Sequence, residues 1–475
     1  MNKILIPILL SIFLNISCQN TIQEKKNLKI DSFIKEQIKV HEIPGLALAV
    51  IKNGELMYEG YFGKANLKNN SKVDKHTIFP LYSITKLTVS TALYQLVEQG
   101  KLSLEDTISQ YIDDLPNQWK SIEIIHLLTH SSGLPDFTFQ DRKLTDKELK
   151  TKLFNEKISF QKGNQYKYNQ TNYWLIAQII EKITKQTVAE FVLKNQFPEN
   201  KGEVLFSSNF KDSIPNRAKR YYYVNEINRY RNVSTNFQER SHAANGLNAT
   251  LKEFIKWNKN LDDNNLLKKE TKLNMWKPFN YANNTDKFLH GWKIYTSNNT
   301  TSYGFTGGLQ TGYRKFIAND LTIILLTNGN KYFPIHNKII NSIAGIVDTS
   351  LFDKKLVAEQ KLTSLLLDKE LDKAISEYYI LKNKNPNISF QEILNTFGYF
   401  FLNKNKVKKA IKIFEINVND YPKSANAYDS LAEAYFINNQ FEISKKNYEQ
   451  SLKLNSKNNN AKAMLEVIEK RLKNN

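Results

Sequence analysis

Residues 77–100 read TIFPLYSITKLTVSTALYQLVEQG, and this stretch decides the fold of the larger part of the chain. An extended segment at 77–80 is followed by an apolar helix that ends at Gly100. Ser83 and Lys86 stand at the start of that helix, on one of its faces. A lysine in this position can lower the cost of deprotonating the serine hydroxyl and can shuttle its proton.

The Ser-x-x-Lys tetrad is a weak signal by itself, because a lysine-rich chain produces it by chance. It also starts at Ser32, Ser159 and Ser208. Only Ser83 opens a buried helix, where its backbone N–H has no partner one turn back and is available to an oxyanion. We therefore predict that Ser83 is the reactive serine.

The flanking sequence predicts an α+β domain over residues 28–350. Residues 45–58 contain two strand-like runs separated by an Asn-Gly pair, which is the pattern of a β-hairpin. Residues 322–327 read TIILLT and predict another buried strand. Apolar residues at helical spacing predict helices at 84–99 and 172–184.

Residues 356–475 have a helical pattern only. Compared with itself at an offset of 34, the chain repeats large and small residues in two segments, 391–424 and 425–458, which is similar to the tetratricopeptide repeat. We expect 356–384 to form a degenerate helix pair and 461–473 to form a capping helix; the alternative is an unrelated helical bundle. The recurring positions are Leu394, Phe397, Gly398, Phe401, Ala410, Phe414 and Pro422, matched by Tyr428, Leu431, Ala432, Tyr435, Ser444, Tyr448 and Ser456.

Charge and composition restrict the classes of function. The formal net charge is +20, but only eight of the 67 basic residues are arginine, whereas phosphate and base recognition favour arginine. We therefore expect a lysine-rich surface attracted to anionic envelope polymers, and no nucleic-acid partner. One cysteine cannot form an internal disulfide or a cysteine-based metal site, and no His-Glu-x-x-His or Gly-x-Ser-x-Gly motif occurs. We expect neither a metal nor a cofactor.

The first 18 residues resemble a bacterial lipoprotein signal peptide. Lys3 precedes an apolar stretch at 4–14, and Ser17 provides the small residue before Cys18. Asn15 departs from the aliphatic residue usual at its position, and the alternative is an ordinary signal with a chance cysteine. The resemblance implies cleavage, lipid attachment at Cys18 and a bacterial envelope location, with a polar leader before the catalytic domain.

Five motifs in order give the chain a more specific resemblance. It is similar to the serine β-lactamase and penicillin-binding-protein superfamily, in particular to its class C-like branch, over residues 30 to 345. That resemblance implies an α/β sandwich of the β-lactamase/transpeptidase type, followed here by an all-α repeat domain. The motifs are SITK at 83–86, IHLLTHSSGLP at 125–135, YNQTNY at 168–173, NGLNAT at 245–250 and GFTGG at 304–308.

The resemblance assigns roles to matching residues. Ser83 would be the acylated nucleophile, Lys86 its activating neighbour, and Tyr168 the carrier of a proton to the leaving group. Nearby cations, Lys86 first, would favour the phenolate of Tyr168. The amides of Ser83 and Gly308 would form the oxyanion hole. His130 would have a packing role.

Two departures from the family pattern concern the substrate. Gln170 replaces an asparagine, which changes the reach of the amide by one methylene. Phe305 replaces a cation that would engage a substrate carboxylate, so esters or amides without a carboxylate are favoured. Arg314 could supply that charge, or it could be a surface arginine. The residues implied to contact substrate are Gln170, Phe305, Thr306, Gly307 and Gly308.

The sequence thus predicts an exported, lipid-anchored serine hydrolase that acts on a small-molecule or peptide substrate through an acyl-enzyme. Esterase or peptidase activity is the most favoured, cell-wall carboxypeptidase activity comes second, and β-lactam hydrolysis comes third. Residues 356–475 would bind a protein partner or dock on the hydrolase domain. The alternative is a weakened scaffold or ligand-binding protein of the same fold, which the loss of the cation at Phe305 would explain.

Overall fold

The computed structural model describes residues 5–283, 288–297, 300–332, 335–368 and 370–473, with side chains from residue 21 onward except Glu226 and Asp368. The chain divides into two compact units. The first ends at Phe352 and the second begins at Asp353.

The first unit is built on a seven-stranded antiparallel sheet with the strand order β3-β2-β1-β12-β11-β10-β9. A smaller sheet has the order β4-β8-β5, and β6 pairs with β7. The α+β fold predicted from the sequence is confirmed. The strands are β1 Gly45–Lys52, β2 Glu55–Asn66, β3 Ser71–Lys72, β4 Ile78–Pro80, β5 Val204–Phe206, β6 Tyr221–Val224, β7 Arg229–Asn232, β8 Leu247–Thr250, β9 Lys293–Ser297, β10 Thr300–Gly307, β11 Thr311–Phe316 and β12 Leu321–Thr327.

Helices cover both faces of the large sheet. The predicted helices at 84–99 and 172–184 are present as α2 and α6. The helices of this unit are α1 Leu5–His41, α2 Thr85–Glu98, α3 Asn117–Lys120, α4 Ile124–Leu128, α5 Asp146–Phe154, α6 Thr171–Thr184, α7 Val188–Gln196, α8 His242–Asn245, α9 Leu251–Asp262, α10 Lys269–Met275 and α11 His336–Val347.

The predicted hairpin at 45–58 is present as β1 and β2. Asn53 and Gly54 both have positive φ, 53° and 76°, as a two-residue hairpin turn requires. Strand β1 therefore lies in the middle of the sheet, paired with β2 on one side and β12 on the other.

Alternating residues of β1 separate two hydrophobic layers. Ala47 and Ala49 face the larger core, which includes α2, whereas Leu46 and Leu48 face the layer formed with α1 and α11. Helix α2 is the centre of the larger core, because 11 of its 14 residues are buried. Lys86 is therefore held inside the protein by the helix that carries it.

The N-terminal segment differs from the expected polar leader. The backbone is helical from Leu5 to His41, and Ile30 and Ile34 pack under the sheet. Ile30 and Ile34 are spaced one helical turn apart and are buried together, which explains why the helix continues through the segment expected to be a leader. The side chain of Cys18 lies outside the described residues. No helix in the described part of the chain is both long and apolar enough to cross a bilayer.

The second unit is a run of helices. The expected helix pair at 356–384 is present as α12 and α13, and the expected capping helix as α18. Both helices of the pair α16 and α17 begin 34 residues after their counterparts α14 and α15. The assignment to the tetratricopeptide class stays a prediction. The helices are α12 Lys354–Asp368, α13 Leu371–Lys384, α14 Gln391–Asn403, α15 Val407–Asp420, α16 Ala425–Ile437, α17 Phe441–Leu454 and α18 Asn459–Lys473.

Close packing of α14 on α15 depends on Gly398. A Cβ at this position would lie 2.2 Å from the buried ring of Phe414. We expect Gly398→Val to lower the free energy of unfolding by about 2–3 kcal/mol, because the ring has no room to retreat. Urea denaturation followed by helical circular dichroism measures this. Thr396→Val, at an exposed position of the same helix, is the control and should change stability by less than about 0.5 kcal/mol. Equal effects from the two variants would contradict the packing argument.

Candidate active site

Ser83 lies in a 3-10 turn, Tyr82–Ile84, between β4 and α2. Tyr82, just before it, has a φ of 49°, a left-handed conformation that is costly for a residue with a side chain. Two anchors hold it: the Tyr82 hydroxyl donates to Gln310 Oε1 at 3.1 Å, and its ring stacks on Phe210. The strained turn leaves Ser83 partly exposed while its neighbours on both sides are buried.

Tyr168 is the hydrogen-bond partner of Ser83. The Tyr168 hydroxyl donates to Ser83 Oγ over 2.8 Å. Tyr168 stands just before α6, so the two residues come from different elements and meet through the fold. The sequence motif at 168–173 and the tetrad at 83–86 are thus brought together.

Lys86 is fully buried beside this pair. Its ammonium nitrogen donates to Gln170 Oε1 at 3.0 Å and to the carbonyl oxygen of Ala244 at 2.8 Å. It also lies 4.9 Å from the ring centroids of both Tyr168 and Tyr173. Burial lowers the pKa of Lys86 well below its ordinary value, although the charge of Asp136 opposes the shift. The geometry therefore favours a neutral amine, which is able to accept a proton.

Tyr168 is protonated in this site. Burial raises its pKa to about 12, although hydrogen bonds with Gln170 and Ser83 lower it in part. The expectation that Lys86 would favour a phenolate is therefore wrong for the resting site, because burial of Tyr168 outweighs the effect of the nearby cation, Lys293, whose charge lowers the pKa. Tyr168 is instead a proton donor toward Ser83.

Gln170 links the lysine to the substrate side of the site. Its side-chain oxygen accepts from Lys86, while its backbone N–H donates to Asp136 Oδ2 at 3.2 Å. Asp136 also raises the pKa of both Lys86 and Tyr168 by its charge. Asp136 was not identified from the sequence, although it directly follows the motif at 125–135.

His130 supports the segment that carries Tyr168. The backbone N–H of Asn169 and the side-chain amide of Asn172 both donate to His130 Nδ1 at 3.2 Å. Burial, and then the charge of Lys86, lower the pKa of His130 well below its ordinary value. Its ring lies 4.6 Å from that of Tyr168 between centroids. These contacts give His130 a positioning role next to Tyr168.

Two glycines bring β10 against the turn that carries Ser83. A Cβ at Gly307 would lie 2.3 Å from the carbonyl oxygen of Leu81, and a Cβ at Gly308 would lie 2.8 Å from the ring of Tyr82. Gly308 also has a φ of 55°. Larger residues are therefore excluded from both positions, and Gly308 lies against the turn that carries Ser83.

Phe305 occupies the position on β10 where the family pattern has a cationic side chain. It is 5% exposed, with its ring centroid 6.1 Å from that of Tyr168 and 5.9 Å from Lys86 Nζ. Its ring therefore helps to exclude water from the lysine.

Arg314 belongs to the opposite face of the sheet from Phe305, because it is the cross-strand partner of Gly304. It is buried, stacks on Tyr295 and donates to Asn337 Oδ1 at 2.6 Å. The expectation of a surface arginine is wrong, since Tyr295 covers the guanidinium. Tyr295 in turn donates to Thr306 Oγ1 at 3.4 Å.

A cavity of about 170 Å³ opens beside Ser83. Gln170 lines it, and the rest of its lining mixes apolar, polar and charged side chains. The lining residues come from segments far apart in sequence, and most of them lie outside the sequence motifs. The other lining residues are Phe137, Thr138, Asp141, Arg142, Leu149, Phe237, Gln238, Arg240, Ser241 and Asn245.

Comparison with known proteins agrees with this fold. The chain is 23% identical to penicillin-binding protein 4* of Bacillus subtilis (strain 168) over 385 residues, which is 75% of this chain and 83% of that protein. It is 24% identical to protein flp of Staphylococcus aureus (strain MW2) over 173 residues, but that match spans only 34% of this chain and 35% of flp.

Solved structures show the same fold. An octameric penicillin-binding protein homologue from Pyrococcus abyssi has a TM-score of 0.55 at 24% identity, covering 67% of this chain and 76% of that one. The D-amino acid amidase of Ochrobactrum anthropi SV3, complexed with L-phenylalanine amide, has a TM-score of 0.56 at 19% identity, covering 70% and 99%. The family model for beta-lactamase matches residues 30–344, which is most of the first unit. The chain therefore belongs to the beta-lactamase family.

Proposed function

We propose that the protein is a serine hydrolase that forms an acyl-enzyme on Ser83 from ester or amide substrates. The observation that carries the proposal is the 2.8 Å hydrogen bond between Tyr168 and Ser83 Oγ beside a fully buried Lys86. A buried lysine without a carboxylate in contact is costly, and such a group is found where its neutral form is useful.

The geometry supports a two-step reaction. Ser83 Oγ bonds to the substrate carbonyl carbon while its proton passes to the neutral amine of Lys86, and the amides of Ser83 and Gly308 hold the oxyanion. The bond to the leaving group then breaks as Tyr168 gives it a proton and is reprotonated by Lys86. Water cleaves the acyl-enzyme in the same manner, releasing the acid and restoring Ser83.

The proposal is tested by mapping the site of a serine-reactive fluorophosphonate on the wild-type chain. Mass spectrometry of the digest should find the adduct on the peptide with Ser83. Peptides with the other Ser-x-x-Lys serines, Ser32, Ser159 and Ser208, serve as internal controls and should stay unmodified. An unmodified chain across a range of pH, or an adduct elsewhere, would overturn the proposal.

The second candidate function is a ligand-binding scaffold of this fold, which the apolar ring of Phe305 favours. The hydrogen bond between Tyr168 and Ser83, with Lys86 Nζ 4.9 Å from the Tyr168 ring centroid, counts against it. The scaffold hypothesis is supported if the wild-type protein hydrolyses no ester while the Phe305→His variant does.

We also propose export and lipid attachment at Cys18, on the sequence of residues 1–18. Cys18→Ser should move the protein from the membrane pellet to the soluble fraction and remove the mass of the lipid. The measurement is fractionation with intact-mass analysis. Ser17→Ala, which keeps a small residue before the cut, is the control and should stay in the pellet. Membrane retention of Cys18→Ser would contradict lipid anchoring.

The second unit is proposed to bind a protein or peptide in the envelope. Ile380 and Ile437 are large apolar side chains exposed on its helices, at 55% and 46%. Cross-linking of the full chain in envelope extract should capture a partner that is lost when both are replaced by glutamate. Unchanged capture by that double variant would place the contact elsewhere.

A further inference from the structure

Arginine is concentrated around a group of aromatic rings next to Ser83. Tyr82, Phe210 and Phe237 form a row of three rings, which we call the aromatic row. Neighbouring rings lie 6.0 and 6.1 Å apart between centroids, and Phe237 lines the same cavity as Ser83. Arg142, Arg217 and Arg220 lie over rings of the row, and Arg240 lines the cavity together with Arg142. These four are half of the eight arginines in a chain that otherwise uses lysine.

Two of these arginines have structural partners. Arg240 is buried, pairs with Asp146 Oδ1 at 2.8 Å and donates to the carbonyl oxygen of Leu144 at 2.6 Å. Arg217 donates to the carbonyl oxygens of Asn209 and Asp212 at 3.0 and 2.8 Å. Their N–H groups hold loops in place.

The other two are held only by aromatic faces. Arg142 lies over Phe237 at 5.0 Å, and Arg220 lies over Tyr82 at 4.9 Å and over Phe210 at 5.3 Å. Neither guanidinium forms a hydrogen bond or ion pair with another residue that the structure describes. Arg142 is exposed and Arg220 is half-buried. A guanidinium held over the face of a ring keeps N–H groups available for a bidentate acceptor.

We propose that the substrate carries a carboxylate that is bound by Arg142 or Arg220 at the aromatic row. This rests on the proposed function, since it concerns the substrate of the same site. Phe305 leaves β10 without the cation of the family pattern, and the arginines of the row would supply that positive charge instead. The carboxylate would then be recognised at the row and not on β10. The Asp141 carboxylate also lines the cavity, and its Oδ1 accepts from the backbone N–H of Lys143.

Matched esters test this proposal. One pair compares 4-nitrophenyl hydrogen glutarate with its neutral methyl ester, which places the carboxylate in the acyl group. The other compares 3-carboxy-4-nitrophenyl butyrate with 4-nitrophenyl butyrate, which places it in the leaving group. We expect wild type to prefer the carboxylate in one pair by about tenfold in kcat/KM, because a charge-assisted bidentate contact is worth at least that factor.

Arginine variants assign the preference to the row. Arg142→Gln or Arg220→Gln should lower the carboxylate-to-neutral ratio by about tenfold. Arg229→Gln, an exposed arginine of β7 outside the row, is the matched control and should leave the ratio unchanged. Hydrolysis of both esters with no charge preference, or an equal ratio in all variants, overturns the inference alone. No hydrolysis of any ester together with no fluorophosphonate adduct overturns the proposed function.

Discussion

Replacing Ser83 with alanine is expected to abolish covalent labelling and to lower kcat for ester hydrolysis by about 10⁴-fold or more. The hydroxyl is the atom that forms the acyl bond, and the turn holds it against Tyr168 at 2.8 Å. Residual hydrolysis would come only from the oxyanion hole acting on bound substrate. The measurement is the release of 4-nitrophenol under saturating ester, together with labelling.

Ser159→Ala is the control for this variant. Ser159 begins a tetrad of the same kind, but it is exposed and accepts a hydrogen bond from Lys167 Nζ at 3.0 Å, far from any buried helix start. Its replacement should leave kcat unchanged. Equal activity of Ser83→Ala and wild type would mean that the nucleophile is another group.

Lys86→Met is expected to lower kcat/KM by about 10³-fold, because methionine fills a similar volume but cannot accept the serine proton. The variant should at the same time be more stable than wild type. The pKa of Lys86 is lowered by burial, so the unfolded chain binds a proton at neutral pH that the folded chain does not hold firmly. That difference opposes folding, and the opposition fades as pH rises toward the ordinary pKa of lysine. Replacing the lysine with methionine removes the amine and, with it, this cost to folding.

The pH dependence provides a second readout of the Lys86 variant. In wild type, kcat/KM should fall as pH drops through the lowered pKa of Lys86, because only the neutral amine acts as a base. In Lys86→Met this acid limb should disappear from the residual rate. A variant that keeps the wild-type pH profile would contradict the assigned role.

Lys315→Met is the matched control, since Lys315 is a second buried lysine in the same unit. Its ammonium pairs with Asp262 Oδ1 at 2.7 Å and contacts Asn258 Oδ1 at 2.9 Å. Removing it leaves a carboxylate without its partner, so stability should fall while kcat stays unchanged. The two lysine variants are thus expected to move stability in opposite directions.

Local sequence was sufficient to predict those features that depend on a single helix or hairpin. The Asn-Gly turn predicted the β1–β2 hairpin, and the spacing of Ser83 and Lys86 placed both at the start of α2. These depend on backbone preferences over a few residues, which neighbouring sequence determines.

The electrostatic state of the site depended on packing between distant segments. Lys86 is stripped of water by the rings of Tyr168 and Tyr173 and by β10, and no local pattern reports that burial. The same reason hid the aromatic row, whose rings at Tyr82, Phe210 and Phe237 meet only in the folded chain. The polar residues near Cys18 suggested a leader, but the apolar spacing of the residues after it continued the helix.

The position of β1 has a consequence for when the protein becomes active. This strand is made early, yet its partner β12 comes near the end of the first unit, and Leu46 pairs with Thr327. A chain still emerging from the ribosome has a central strand with one open edge, so formation of the sheet waits for nearly the whole unit to be synthesised. Gly308, on the late side of that sheet, completes the site around an early Ser83. Any product that stops before β12 therefore has the serine but lacks a closed sheet behind it, and we expect the proposed hydrolysis only from chains synthesised past residue 327.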